Sequence, residues 1–390
     1  MKKAIIFLTL YILLSVPVLG IPLQDTFSSF QRGSQRVSST DFSQRCMIST
    51  IREFIPSMMY QVKQKQTSLV HNPLDNSLFS PQDIELQDDA FHGSESLHFV
   101  EWWYFDATFD FGYSIQVNFN VYSVLSQGFA SVSINVYQHG EPLVSEREFY
   151  EITEFYASTE TPDIAVQDQP VMQGYIDNAT GHWIYDITLE LGNISIDLSY
   201  EGLTEGWKGI TPMGGWGVIL PEAEVKGRLT FNNQDVHHVR GIGYHDHNWD
   251  VTVFAGLNYG WFWGNIRTEN YTLVWADILT TWYLDEPLLV MNRRYNGYHN
   301  IQSEDITIRV DNIRWNHGML IPNTILLDVH KNELDLHVEM KTSTLQYVSI
   351  GGVINYWRYH LDCTGELMIN GETEYIDNIH IAEFIRFRFY

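Results

Sequence analysis

Cysteine is almost missing from this 390-residue chain, which has only Cys46 and Cys363. That excludes a disulfide-stapled framework. At most one bridge would tie the N-terminal segment to the last strands in an oxidising compartment. Positive charge is scarce as well. With 23 Lys and Arg against 48 Asp and Glu, the formal net charge is −25. Such a surface repels nucleic-acid phosphates and anionic membrane faces, so no nucleic-acid partner is expected. There is no Gly-rich phosphate cradle, no Gly-x-Ser-x-Gly nucleophile elbow and no zinc-protease helix motif. Dinucleotide enzymes, kinases and the usual serine hydrolases are therefore unsupported, and no cofactor is predicted. A comfortable membrane span is lacking too. The N-terminal apolar run from Ala4 to Leu19 is short of about 20 residues and carries Pro17 near its end.

That run reads instead as a secretory signal over residues 1–20. Lys2 and Lys3 precede it and Val18-Leu19-Gly20 offers a small-residue exit; an uncleaved anchor is the alternative. Three acceptor triplets agree with export, at Asn178-Ala-Thr, Asn193-Ile-Ser and Asn270-Tyr-Thr. The expected location is secreted or extracytoplasmic, with association of the N-terminus with a membrane as a further expectation. Residues 21–88 form an extension dense in Ser, Gln and Thr. Within it Ile48, Ile51, Ile55, Met58 and Val62 recur at helical spacing, and Pro56 would divide or kink that helix.

From Phe99 onward the period changes to two. Ser114-Ile-Gln-Val-Asn-Phe-Asn-Val-Tyr122, Asn193-Ile-Ser-Ile-Asp-Leu-Ser-Tyr200 and Asp305-Ile-Thr-Ile-Arg-Val310 alternate polar and apolar side chains, as half-buried strands do. Turn signals punctuate them at Asp110-Phe-Gly112, His139-Gly140, Asn232-Asn233 and Asn370-Gly371. The last is the most specific hairpin signal in the chain. Trp102-Trp-Tyr-Phe-Asp-Ala before Tyr113-Ser-Ile-Gln-Val is echoed by Trp261-Phe-Trp-Gly-Asn-Ile before Tyr271-Thr-Leu-Val-Trp. Two related β units meeting near residue 250 account for the echo. The expected fold is all-β: two tandem antiparallel barrels over residues 89–250 and 251–390, behind a short helical N-terminal extension.

Gly241-Ile-Gly-Tyr-His-Asp-His-Asn-Trp249 is the stretch richest in chemistry. If it is extended, Tyr244, Asp246 and Asn248 share one face, and His245, His247 and Trp249 share the other. A carboxyl beside a phenol and an amide makes an acid centre. In apolar surroundings the neutral form of Asp246 is favoured, and Tyr244 would orient it. The competing reading is a satisfied polar network that joins two domains. His245 and His247 at i and i+2 raise a metal site, but no third ligand stands at diagnostic spacing, and none is predicted. In Glu101-Trp-Trp-Tyr-Phe-Asp106, the adjacent Trp102 and Trp103 point to opposite sides of a strand. Their rings, with Tyr104, suit an apolar polyene and would stabilise a carbocation; plain barrel core is the alternative.

Glu101-Trp-Trp-Tyr-Phe-Asp106 and Gly241-x-Gly-Tyr-His-Asp-His-Asn-Trp249 together resemble the hydroxyneurosporene synthase family, that is, the carotenoid 1,2-hydratase or AttH-like family, over residues 95 to 390. The resemblance implies tandem lipocalin-like β domains. It implies Asp246 as proton donor to an alkene, with Tyr244 assisting and a tertiary cation quenched by water or by an internal nucleophile. Trp216 corresponds to an upstream Trp of the family's hydratases. Their upstream His has no counterpart in Pro212-Met-Gly-Gly-Trp-Gly-Val, and Asp250 stands where the family often has Gly.

The expectation is thus acid-catalysed hydration, isomerisation or cyclisation of an apolar, isoprenoid-like substrate. Asp246 and Tyr244 are the catalytic pair, and Trp102, Trp103, Tyr104, Trp216 and Asn248 line the substrate. A non-catalytic extracellular carrier of an apolar ligand such as a lipid is the alternative. A secreted hydrolase is a third reading, which the missing nucleophile elbow opposes.

Overall fold

In the computed structural model the described residues are 79–387 apart from 97, 125–126, 233–235, 253–258, 280–284 and 351–353. The signal segment, the Ile48–Val62 pattern and Cys46 lie outside them.

Alternation decides the architecture. In the strand Tyr113–Val124, Ile115, Val117, Phe119 and Val121 are all buried, and they face the buried Ile196 and Leu198 of Ile194–Gly202 within one core cluster. Each such side chain contributes about 1.5–3 kcal/mol on leaving water, which pins the register of every strand. The second cluster is built the same way, from Ile325, Leu327 and Val329 against Leu336, Val338 and Met340.

Among the described residues two antiparallel sheets of 13 and 9 strands result, with a separate two-stranded hairpin, Arg314–Asn316 and Met319–Ile321. Each large sheet curls into a nearly closed barrel by the same device: its leading long strand pairs with its last. In the first sheet His98–Phe109 pairs with His237–Thr252. In the second, Gly260–Arg267 pairs with Glu372–Arg386. The seams also correspond. One lies between Glu141–Glu151 and Phe155–Ala157, bridged by a 3-10 turn, Ile152–Glu154. The other lies between Tyr298–Ile301 and Ile306–Asp311, bridged by Ser303–Asp305. This shared topology is the physical content of the sequence echo. Among the described residues the only helical turns are short 3-10 ones, and no helix is long and apolar enough to cross a membrane.

Local chemistry agrees at the turns. Asn370 and Gly371 have φ of 52° and 84°, the left-handed pair a two-residue hairpin needs, between Ile369 and its partner Glu372. The asparagines of the three acceptor triplets are exposed; Asn178-Ala-Thr is a turn, whereas the other two triplets run into strands with Ile194, Tyr271 and Thr272 buried. The Asp305–Val310 alternation forms an edge strand, Ile306–Asp311, in which Ile306 is buried but Val310 stays 47% exposed. Residues before 89 also join the first barrel, where Gln82–Asp83 pairs with Trp207–Lys208.

Gly241 and Gly243 of the chemistry-rich motif have a steric role. A Cβ on Gly241 would stand 2.0 Å from the Thr108 carbonyl oxygen, and one on Gly243 2.6 Å from the Tyr200 ring. Both lie closer than any real Cβ contact, so the glycines let His237–Thr252 press against His98–Phe109.

Candidate active site

Those two strands carry the site. Across them Tyr104 stands opposite Asp246, Asp106 opposite Tyr244 and Trp102 opposite Asn248. On the other flank Gly214–Phe231 sets Val218 beside Asp246 and Trp216 beside Asn248. The pleat therefore gathers Trp102, Tyr104, Asp106, Trp216, Tyr244, Asp246 and Asn248 on one face, the outer face of the first barrel.

Asp246 is held by neutral donors. Tyr244 donates its hydroxyl to Asp246 Oδ2 at 2.8 Å, and Trp216 donates Nε1–H to the same oxygen at 3.0 Å. Oδ1 meets the Asn248 amide at 3.3 Å. Burial lifts the carboxyl from 3.8 to about 7; the Trp216 and Tyr244 hydrogen bonds oppose that rise, and the charges of Glu383 and Asp106 add to it. Oδ2 already receives two donors, so a proton on Asp246 belongs on Oδ1. An amide such as Asn248 can turn its own oxygen to accept that proton. Burial pushes the Tyr244 phenol well above 10, which keeps it a donor.

The second barrel covers this face. Trp263 stacks on Tyr244 with ring centres 5.1 Å apart and meets Tyr104 edge-on at 5.5 Å. Trp261 lies parallel to Trp102 at 6.3 Å. Glu383, the strand partner of Trp263, takes hydrogen bonds on Oε1 from Tyr104, Gln116, Tyr356 and Arg358 at 2.9, 3.1, 2.7 and 2.6 Å. Arg358 Nη1 also donates to the Tyr104 hydroxyl at 2.5 Å, and Nη2 lies 3.7 Å from Asp106 Oδ2. Asp246, Asp106 and Glu383 keep only about 4% of their surface exposed, while Tyr244 and Arg358 are fully buried.

The opposite side of the strand pair looks into the first barrel and is built differently. His245 Nε2 lies 3.0 Å from Asp89 Oδ2, and His247 Nδ1 lies 3.2 Å from Asp89 Oδ1. His247 Nε2 lies 3.0 Å from Glu101, and Tyr185 donates to Asp89 at 2.6 Å. All four ionisable side chains are fully buried. Burial disfavours the His247 imidazolium, but hydrogen bonds and charge from Asp89 and Glu101 overcome it and raise the ring from 6.5 to about 9. Asp89 sits in the 3-10 turn Leu86–Asp89, which this network locks into the barrel.

The structure thus brings together Asp246, Tyr244, Asn248, Trp216, Trp102 and Tyr104. It places Trp103 apart, inside the first barrel, where its ring stacks on His247 at 4.5 Å and its Nε1 donates to the Asp89 carbonyl. His245 and His247 serve the barrel interior rather than the seam between barrels. The sequence reading missed Asp106, Glu383 and Arg358 as neighbours of the acid. One local signal existed, since Tyr104-Phe-Asp106 repeats the Tyr-x-Asp spacing of Tyr244-His-Asp246. A separate cavity of about 420 Å³ is lined by Asp110, Phe111, Tyr113 and residues 236–240. It lies toward the end of the strand pair where Phe109 meets Gly241, away from the Tyr104–Asp246 rung. It carries none of the acid's partners.

No family model matches the chain. The quinolone epoxide rearrangement protein asqO of Emericella nidulans is 37% identical over 60 residues, which are 15% of this chain and 16% of that protein. The match therefore spans about a sixth of that relative. Among solved structures, a protein assigned as AttH from Nitrosomonas europaea superposes with a TM-score of 0.56 at 10% identity, covering 78% of this chain and 97% of that one. Kievitone hydratase from Nectria haematococca gives a TM-score of 0.51 at 10% identity, over 81% and 95% of the two chains. At that identity the likeness establishes the fold, an AttH-like pair of lipocalin-like barrels.

Proposed function

We propose that the chain is an acid catalyst of hydration, isomerisation or cyclisation on an apolar, isoprenoid-like alkene, with Asp246 as the proton donor. One observation carries the reading: a buried carboxyl raised to about 7, bound on Oδ2 by Tyr244 and Trp216 and keeping Oδ1 for the proton, beside aromatic rings. An acid near neutrality combines a protonated form with a useful driving force for transfer. Protonation of the alkene by Oδ1 moves the π electrons into a new C–H bond and leaves a cation on the adjacent carbon. The faces of Trp263, Tyr104 and Trp102 stabilise such a cation. Water then closes it to an alcohol, giving a proton back to the Asp246 carboxylate; loss of a neighbouring proton gives an isomer; or an internal alkene attacks to close a ring, and the new cation loses a proton. The names of two similar proteins, an epoxide rearrangement protein and a hydratase, support this class, and the hydroxyneurosporene synthase motif supports alkene hydration within it.

The same proposal puts the protein outside the cytoplasm, with an N-terminus that meets membranes carrying the substrate. Lys2 and Lys3 before the apolar run, and exposed asparagines at the three acceptor triplets, support it. No nucleic acid takes part.

The test is incubation of the purified protein with lipid extracts of the source organism, followed by mass spectrometry. The wild type should convert an apolar component to a product heavier by one water or of equal mass. Asp246→Asn should slow this at least about 100-fold, the loss expected for a general acid. Equal conversion by the variant sinks the assignment. A retained but unchanged lipid favours a carrier.

A further inference from the structure

Two Tyr-x-Asp triplets cross on neighbouring antiparallel strands, Tyr104-Phe105-Asp106 and Tyr244-His245-Asp246, each tyrosine opposite the other triplet's aspartate. The two are held differently. Asp246 has only neutral partners, Tyr244, Trp216 and Asn248. Asp106 and Glu383 are bound into a charged cluster, with the Tyr104 hydroxyl 2.8 Å from Asp106 and 2.9 Å from Glu383. Arg358 bonds Glu383 and the Tyr104 hydroxyl and approaches Asp106, and it makes no hydrogen bond to Asp246.

The groups facing Asp246 can be taken element by element. Its own strand offers Tyr244 and Asn248, and the flanking strand Trp216. The other neighbour offers Tyr104 and Asp106, beside Gln116. The second sheet brings Glu383, Arg358 and Tyr356, and Arg267 acts on Asp106. Asp106 thus lies diagonally across the strand pair from Asp246, opposite Tyr244, and Glu383 reaches in from the second sheet, two carboxyls against the one guanidinium of Arg358 that binds Glu383 and the Tyr104 hydroxyl.

We propose that Asp106 and Glu383 are positioning residues for the acid: their charge holds the proton on Asp246, and Tyr104 and Arg358 fix the two carboxylates where that charge acts. This rests on the reading of Asp246 as the proton donor and explains how a carboxyl beside two good donors stays protonated near neutrality. Burial alone works against two hydrogen bonds that favour the ionised form; the carboxylate field adds to burial. The arrangement also fits cation chemistry. Once the proton has left, a substrate cation faces the same negative field.

The experiment needs no substrate. The full chain is labelled with ¹³C at aspartate carboxyls and titrated by NMR, the Asp246 signal being assigned by its loss in Asp246→Asn. Glu383→Gln and Asp106→Asn each remove a carboxylate while keeping shape, and each should lower the Asp246 midpoint by a few tenths to about one pH unit, the Asp106 effect being the smaller because burial raises that carboxyl too. Tyr356→Phe removes a hydrogen bond from the same Glu383 oxygen without changing charge, and should leave the midpoint in place. If either charge variant does not fold, the other decides. An unmoved midpoint in the charge variants overturns the proposal, as does a Tyr356→Phe shift as large as theirs. The acid assignment itself falls by a different result, undiminished turnover in Asp246→Asn.

Discussion

Replacing Asp89 by Asn tests whether the buried charge network holds the first barrel shut. The change keeps the side-chain shape and removes the charge that His245, His247 and Tyr185 share. Removing one partner of a buried ion pair costs about 3–5 kcal/mol. An independent figure comes from His247. Its rise from 6.5 to about 9, shared between Asp89 and Glu101, corresponds to about 3.4 kcal/mol at about 1.36 kcal/mol per pH unit. A loss near 3 kcal/mol lowers the melting temperature by about 6–12 °C in a domain of this size. The pH dependence carries a sign. His247 has a folded value above its free value, so its share is complete below 6.5 and is lost as pH rises through about 9. Asp89 is lowered from 3.8 because the two histidines outweigh the burial that would raise it, so its share is lost as pH falls below 3.8. Thermal melts of wild type and Asp89→Asn between pH 5 and 10 should show the largest gap near pH 5–6, narrowing between about 6.5 and 9. A variant within 2 °C of wild type at pH 6, or a gap that does not narrow, refutes this account.

Two further outcomes follow from particular contacts. Trp216→Phe removes a 3.0 Å hydrogen bond that favours the ionised form of Asp246, so the carboxyl midpoint should move up from about 7 by roughly half to one pH unit in the ¹³C titration. Phe111 is 88% exposed at φ of 66°, a conformation that costs a non-glycine residue about 1 kcal/mol. Phe111→Gly should therefore raise stability by a few tenths to about 1 kcal/mol in urea unfolding.

Much of the fold was legible because alternation and turn chemistry are local. The Ser114–Tyr122 pattern lies within Tyr113–Val124 with its apolar members buried, and Asn370-Gly371 makes the hairpin it signals. The shared face of Tyr244, Asp246 and Asn248 follows from the two-residue pleat, and their hydrogen bonds realise it. What closes over that face was not legible. Glu383 and Arg358 sit more than 100 residues downstream, on strands whose own pattern records burial and not the partner that buries them. Trp103 shows a side that was legible but not applied: adjacent strand residues point to opposite sides, yet Trp103 was counted with Trp102 on the substrate face, and the pleat turns it to His247. Asp89 was missed for another reason. It belongs to a 3-10 turn with no periodicity, at the edge of a segment that reads as an extension.

Turnover in D₂O tests the proton-donor role of Asp246 most directly. Wild-type protein, given the apolar alkene it converts, should form product with one deuterium on carbon, with the rate falling about tenfold per pH unit above about 7 as the acid ionises. Asp246→Asn should form essentially none. Product without carbon-bound deuterium, or equal labelling by the variant, would contradict Asp246 as the proton donor.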